Sequence, residues 1–136
     1  LTALSDSYDA ERKDGVLVVY KVAGGAAIYK GAMVALDASG FAIPAADASG
    51  LLFVGYAYEN ADNAEGDDGD VSVRVWKDGS FLAAKASAAQ GDLGKAAYVV
   101  DDNTVALSAT HSVLAGTIVE VPASDTVRVL IRNAVK

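Results

Sequence analysis

The chain has 136 residues, 18 acidic against 11 basic side chains and a net charge of −7. That is the size of one domain and the charge of a surface that repels DNA and anionic membrane; a nucleic-acid binder would carry a basic patch instead. The absence of cysteine excludes disulfides, zinc-thiolate sites, iron–sulfur clusters and thiol nucleophiles together and leaves the redox compartment unread.

Residues 1–14, LTALSDSYDAERKD, carry six charges and no strand period, and read as an N-terminal arm. The chain opens at Leu1 without methionine, from which a removed or processed start is expected. Residues 15–136 read as one β domain. From Val16 onward short apolar runs alternate with turn signals: VLVVYKV, Gly24-Gly25, AAIYKGAMVAL, Asp37 to Gly40, FAI, Asp47 to Gly50 and LLFVGYAYE. This spacing predicts an all-β fold, a single-domain sandwich or barrel of short, mostly antiparallel strands. The apolar runs are broken well short of the roughly 20 residues a membrane helix needs, so neither a transmembrane segment nor a secretory signal is expected.

An acidic stretch, NADNAEGDDGD at residues 60–70, precedes VSVRVW and then Asp78-Gly79. Asp-Gly favours a tight hairpin turn because glycine tolerates positive φ. FLAAK follows, and residues Ala83 to Gln90 have the propensity for a short helix. The rest reads as strands KAAYVVD, TVALS, VLAGTIVEV and TVRVLI. Pro44 and Pro122 are expected at strand edges or turns, where a missing backbone donor costs least.

The order of signals repeats. Gly31 opens an alternating apolar run, an acidic turn and a second run, then LLFVGYAYE and VSVRVW; Gly94 opens the same series, ending in VLAGTIVEV and TVRVLI. The two copies span about residues 16–76 and 80–132, and the loops of the second are shorter. Two readings stand side by side, a duplicated framework and the chance matches of any all-β chain of short strands. In the last strand of each copy, alternation puts Val71, Val73 and Val75, and Val127, Val129 and Ile131, on one face. The other face carries Arg74 with Trp76 and Arg128 with Leu130. Either a second layer covers these large apolar side chains, or they form a partner surface, since aromatics and arginine are enriched at interfaces.

Little in the chain points to chemistry. His111 is the single histidine, and Ser112 beside it in sequence does not supply the geometry of a triad; a solvated loop histidine is expected. Asp62, Glu65, Asp67, Asp68 and Asp70 are hard oxygen ligands of the kind calcium takes, but they lack the EF-hand spacing, so a mobile, solvated connection is expected. Gly24-Gly25, Gly91 and Gly94 precede no Lys-Ser/Thr and helix and are not a phosphate loop. The tyrosines are scattered and form no stacking platform for bases. No catalytic residue, metal or cofactor is expected, and the chain does not read as an enzyme.

The run Gly91-Asp-x-Gly-Lys-x-x-Tyr-Val99, Asp101-Asp102-Asn103-Thr104-Val105, Ala115 to Glu120 and the final VRVLI resemble the capsid cement, or head decoration, proteins of tailed phages. In the first half the likeness rests on Gly31-Ala-Met-Val, Phe41-Ala-Ile-Pro44 and Phe53-Val-Gly-Tyr-Ala57. The resemblance spans most of residues 15–132 and implies a β-rich structural virion protein that docks on the capsid's outer surface and clamps neighbouring major capsid subunits, as a homotrimer in many members. No nucleic-acid or membrane partner follows from it. It also implies an arm that orders on the shell, which makes Leu1, Thr2, Leu4 and Tyr8 candidate contacts beside Arg74, Trp76, Arg128 and Leu130. The alternative is a carbohydrate- or receptor-binding head-fibre module, which requires clustered exposed aromatics with polar neighbours.

Overall fold

The computed structural model describes residues 2–3, 5–7, 10, 12–13 and 15–136. Of the arm candidates, Leu1, Leu4 and Tyr8 lie outside the described residues, while Thr2 is exposed. The fold is all-β, as its turn-punctuated apolar runs predict. Among the described residues twelve strands follow in order: β1 (Leu17–Lys21), β2 (Ala27–Ile28), β3 (Met33–Leu36), β4 (Ala42–Pro44), β5 (Leu52–Ala57), β6 (Ala61–Asp62), β7 (Ser72–Trp76), β8 (Ser80–Ala84), β9 (Ala96–Val99), β10 (Val105–Ala106), β11 (Leu114–Ala123) and β12 (Thr126–Leu130).

Ten of these strands build two five-stranded antiparallel sheets with the same order, and β2 pairs with β6. The first runs β1-β7-β5-β3-β4 and the second β8-β12-β11-β9-β10. The register matches as well. Val19 faces Arg74 in the first sheet, and Leu82 faces Arg128 in the second. Gly31 N–H donates to the Ala57 carbonyl at 2.9 Å and Gly94 N–H to the Ile118 carbonyl at 2.8 Å; the return bonds, Ala57 to Ala32 and Ile118 to Lys95, are 2.8 and 3.0 Å. Each sheet also curls until its first strand meets its far edge, through parallel bridges Val22 to Ala42 and Ala84 to Thr104. The duplicated framework is therefore real in topology, register and hydrogen bonding, and chance matching does not account for it.

Glycine fixes one step of the duplication. Gly55 and Gly116 sit at the same point of β5 and β11, with φ of 138° and 152°. A Cβ at Gly55 would run into the Trp76 carbonyl oxygen, and one at Gly116 into the Leu130 carbonyl oxygen. Neither position admits a side chain, because the neighbouring strand passes too close.

The cores are not equivalent. The first sheet encloses Val22, Val34, Ala42, Val54, Ala57, Val73 and Val75, and β2 and β6 add Ile28 and Ala61. The second sheet's inward residues, among them Val99, Val105, Ile118, Val127, Val129 and Ile131, pack instead with Met33, Ala35, Ala45, Phe53 and Tyr56 of the first copy. The first lobe's outer face thus completes the second lobe's core. Tyr56 stacks on Phe81 with ring centroids 4.3 Å apart, and Met33 N–H donates across to the Asp102 carbonyl at 2.8 Å.

Three local expectations change. Asp78-Gly79 is not a hairpin turn, since β7 already pairs with β1 and β5 while β8 pairs with β12; it is the crossing between sheets, with Asp78 tied to Arg132 at 3.1 Å. Ala83 to Gln90 forms no helix. β8 runs to Ala84 and only a single 3-10 turn follows at Gln90–Asp92, because pairing with β12 outweighs a weak propensity. The acidic stretch is no plain solvated connection either: it contains β6 and the buried Asn63.

Candidate functional site

The alternation expected for the last strands holds. Val73, Val75, Val127, Val129 and Ile131 are fully buried, whereas Trp76, Arg128 and Leu130 are half-buried and Arg74 is exposed on the opposite face. What sequence reading missed is the partner of each arginine. The Glu59 carboxylate accepts from Arg74 Nε and a terminal guanidinium nitrogen, both at 2.9 Å, and from the Arg74 backbone N–H at 2.9 Å. This fork holds the carboxyl at about 2, against 4.5 ordinarily, chiefly through the side-chain bonds. In the second lobe Arg128 Nε meets Glu120 at 3.4 Å. Glu59 and Glu120 each stand four residues after their invariant-geometry glycine, Gly55 and Gly116, so the spacing Gly-x-x-x-Glu was the signal.

Around each pair the apolar groups also correspond. Val19 is 61% exposed and Leu82 50%, each directly across the ladder from its arginine. Tyr58 and Val119, the residues before each glutamate, are 38% and 45% exposed. In the first lobe Tyr58 meets Trp76 edge-on, with centroids 5.3 Å apart, and the Arg74 guanidinium lies 4.7 Å from the Tyr58 ring centre. Trp76 is therefore covered in part by Tyr58, which combines the two readings of it: most of its surface is packed and the rest is open. The result is one patch built twice, an arginine–glutamate pair framed by exposed apolar side chains.

The other candidates are brought to rest in structural roles. The Asp47 carboxylate accepts the Thr110 and His111 backbone N–H groups at 3.0 and 2.8 Å and faces His111 Nδ1 at 3.1 Å. These bonds, the His111 N–H first, hold the Asp47 carboxyl below its usual range. His111 is thus a clasp between the β4–β5 and β10–β11 loops. The Ser112 hydroxyl donates to the Ala109 carbonyl at 3.4 Å. In the acidic stretch Asp68 accepts from Gly24 N–H at 2.8 Å, Asp70 from Asp67 N–H at 2.9 Å and Asp62 from Ala64 N–H at 3.0 Å. Among the described residues no three His, Asp or Glu side chains converge as a metal site would require.

Lys85 and Asp92 form an ion pair at 2.9 Å with both side chains under a tenth exposed; the lysine bond pulls the Asp92 carboxyl below its usual range. Among the described residues no helix is long and apolar enough to cross a membrane. Compared with protein-family models, curated proteins and solved structures, the chain has no match.

Proposed function

We propose that the chain is a structural virion protein that binds the outer surface of a phage capsid and stabilises contacts between its major capsid subunits. The observation that carries this reading is the doubled patch. Two like surfaces on one rigid body suit a partner that repeats, because engaging two neighbouring copies turns the second contact into an intramolecular one and raises avidity without new chemistry. A shell of identical subunits is such a partner, and anything that binds the assembled shell alone stabilises it by mass action. In this reading the chain works without a reaction, and the homotrimer implied by the resemblance would multiply the same contacts.

Purified protein mixed with emptied phage heads should co-sediment and raise the temperature at which the shells melt. Trp76→Ala and Leu130→Ala should each weaken that binding by more than they lower the protein's own melting, and together more than either alone. No co-sedimentation with heads would reject the proposal.

A second reading is favoured by the grouping of Tyr58, Trp76, Arg74 and Glu59. Exposed aromatic faces beside a charged pair are what a carbohydrate- or receptor-binding module needs. Binding on a glycan array that disappears in Trp76→Ala, without capsid binding, would move the assignment there.

A further inference from the structure

The two lobes differ at the free edge of their sheets. Lys77 N–H donates to the Val16 carbonyl at 2.8 Å and Val22 N–H to the Val71 carbonyl at 2.9 Å, and the register between them pairs Val18 with Val75 and Tyr20 with Val73. Antiparallel ladders alternate, so the even-numbered residues of β1 bond to β7, and the N–H and C=O groups of Leu17 and Val19 point the other way. β1 is the last strand of its sheet, and it meets β4 only beyond these residues, at the bridge from Val22 to Ala42. The four backbone groups of Leu17 and Val19 therefore face an open groove of about 250 Å³, lined by Lys13, Leu17, Val18 and Val19.

In the second lobe the corresponding edge is closed. A terminal nitrogen of Arg128 donates to the Ser80 carbonyl at 3.3 Å, and Ala84 N–H donates to the Asn103 carbonyl at 2.9 Å, which leaves Leu82 alone between two occupied points. Leu17 is the counterpart of Ser80. Among the described residues nothing donates to its carbonyl, because Arg74, the counterpart of Arg128, is held on Glu59 by both of its guanidinium bonds. The far edges are guarded as well, since β4 ends at Pro44 and β10 is only two residues long. Leu17 to Tyr20 carry no proline, charge or bulge.

We propose that this edge pairs with the same edge of a second copy, β1 against β1, antiparallel about a twofold axis at Val18. In that register Leu17 faces Val19 of the second copy and Val19 faces its Leu17, so four N–H···O bonds use every free group of both residues on both edges. The side chains agree with the backbone. Leu17 and Val19 share one face, and their cross-strand pairs cover Val19, which is 61% exposed in the single chain. A register two residues on would set Leu17 against Lys21, whereas here Lys21 falls opposite Gly15, which has open space around it. Leu17 to Tyr20 carry no acid, and salt screens charges beyond about 8 Å at physiological strength, so the net charge of −7 opposes the contact only weakly. The contact is isologous and closes at two copies; it is separate from the threefold assembly implied by the resemblance and does not depend on the capsid reading. It joins the first sheets of the two copies and sets their Arg74 and Tyr58 groups on one continuous face.

Sedimentation equilibrium of the intact chain should show monomer and dimer exchanging with concentration, and hydrogen exchange at the Leu17 and Val19 amides should slow as concentration rises. Val19→Lys changes an exposed residue whose N–H β7 does not use, and it should weaken the dimer about tenfold or more. The chain has no cysteine, so Val18→Cys reads the register. The two copies of position 18 form a non-hydrogen-bonded pair with Cα atoms about 4.5 Å apart, within disulfide reach, and mild oxidation should yield a covalent dimer. Leu82→Cys, on the closed edge of the second lobe, should not. A chain that stays monomeric at millimolar concentration, a dimer equally strong in Val19→Lys, or equal cross-linking through Leu82→Cys would each overturn the pairing. Slowing of the two amides only after phage heads are added would give the edge to a shell subunit and overturn it as well.

Discussion

Tyr56 is the most costly side chain in the core. Its ring is 2% exposed between Phe53 and Phe81, and its hydroxyl has no hydrogen-bond partner among the described residues. Burial alone drives the phenol's pKa up. A buried hydroxyl without a partner costs more than the same volume left apolar. Tyr56→Phe keeps both ring contacts and removes the orphan, so it should stabilise the protein by about 1 kcal/mol, roughly 3 °C in Tm. Thermal melts of the two proteins check it. A second residue-scale effect concerns acid. Glu59 titrates near 2 when folded against 4.5 in the unfolded chain, so the unfolded state binds the proton first. The stability this carboxylate supplies is complete above about 4.5 and fades as pH falls toward about 2. Glu59→Gln should therefore melt below the parent at neutral pH, with the gap closing toward pH 2; a gap independent of pH would place the residue's role in packing rather than charge. The pair is partly exposed, so the gap should also shrink in high salt.

At the scale of the element, duplication makes paired predictions. Gly55 and Gly116 are strained for any other residue by their positive φ and blocked by the carbonyl of the adjacent strand. Gly55→Ala and Gly116→Ala should each cost about 3 kcal/mol or more, the sum of backbone strain and overpacking, read as a lowered midpoint in urea unfolding. Gly40→Ala, with φ of 87° but open space around it, should cost only about 1 kcal/mol. The difference isolates the close approach of the strands from the backbone angle. Much of this was legible beforehand, because strand alternation is a local property: the valines of VSVRVW and VRVLI announce their buried face, and Gly-x-x-x-Glu marks the bulged strand in both copies. What could not be read is whatever depends on distant chain. Asp78-Gly79 carries a hairpin's composition, yet it links two sheets because β7 and β8 find other partners. Asn63 looks like a loop residue, and its role is set by carbonyls about 40 positions upstream. Glu59 and Arg74 are separated by a connection seven residues longer than the one between Glu120 and Arg128, which hid their pairing.

For the molecule as a whole, the two copies share a topology and divide the burden of stability unequally. The first lobe closes its own core with β2 and β6, and residues 15–79 hold every member of that cluster. The second lobe borrows Met33, Ala35, Ala45, Phe53 and Tyr56, and the chain's end returns to the first lobe through Lys136 N–H to the Phe53 carbonyl at 2.9 Å. A unit of under 60 residues is marginal even with a complete core, so a fragment of residues 80–136 should be unfolded alone, with collapsed amide dispersion. A fragment of residues 15–79 should keep strand structure but self-associate, since Met33, Phe53 and Tyr56 become an exposed apolar face. Mixing the two should restore the dispersed spectrum at equal stoichiometry, because the first fragment supplies the missing half of the second core. Independent folding of residues 80–136 would mean that the shared core is a contact between self-sufficient lobes. Failure of the mixture to recover would mean that the covalent crossing at Lys77 to Gly79 is needed to hold the lobes in register.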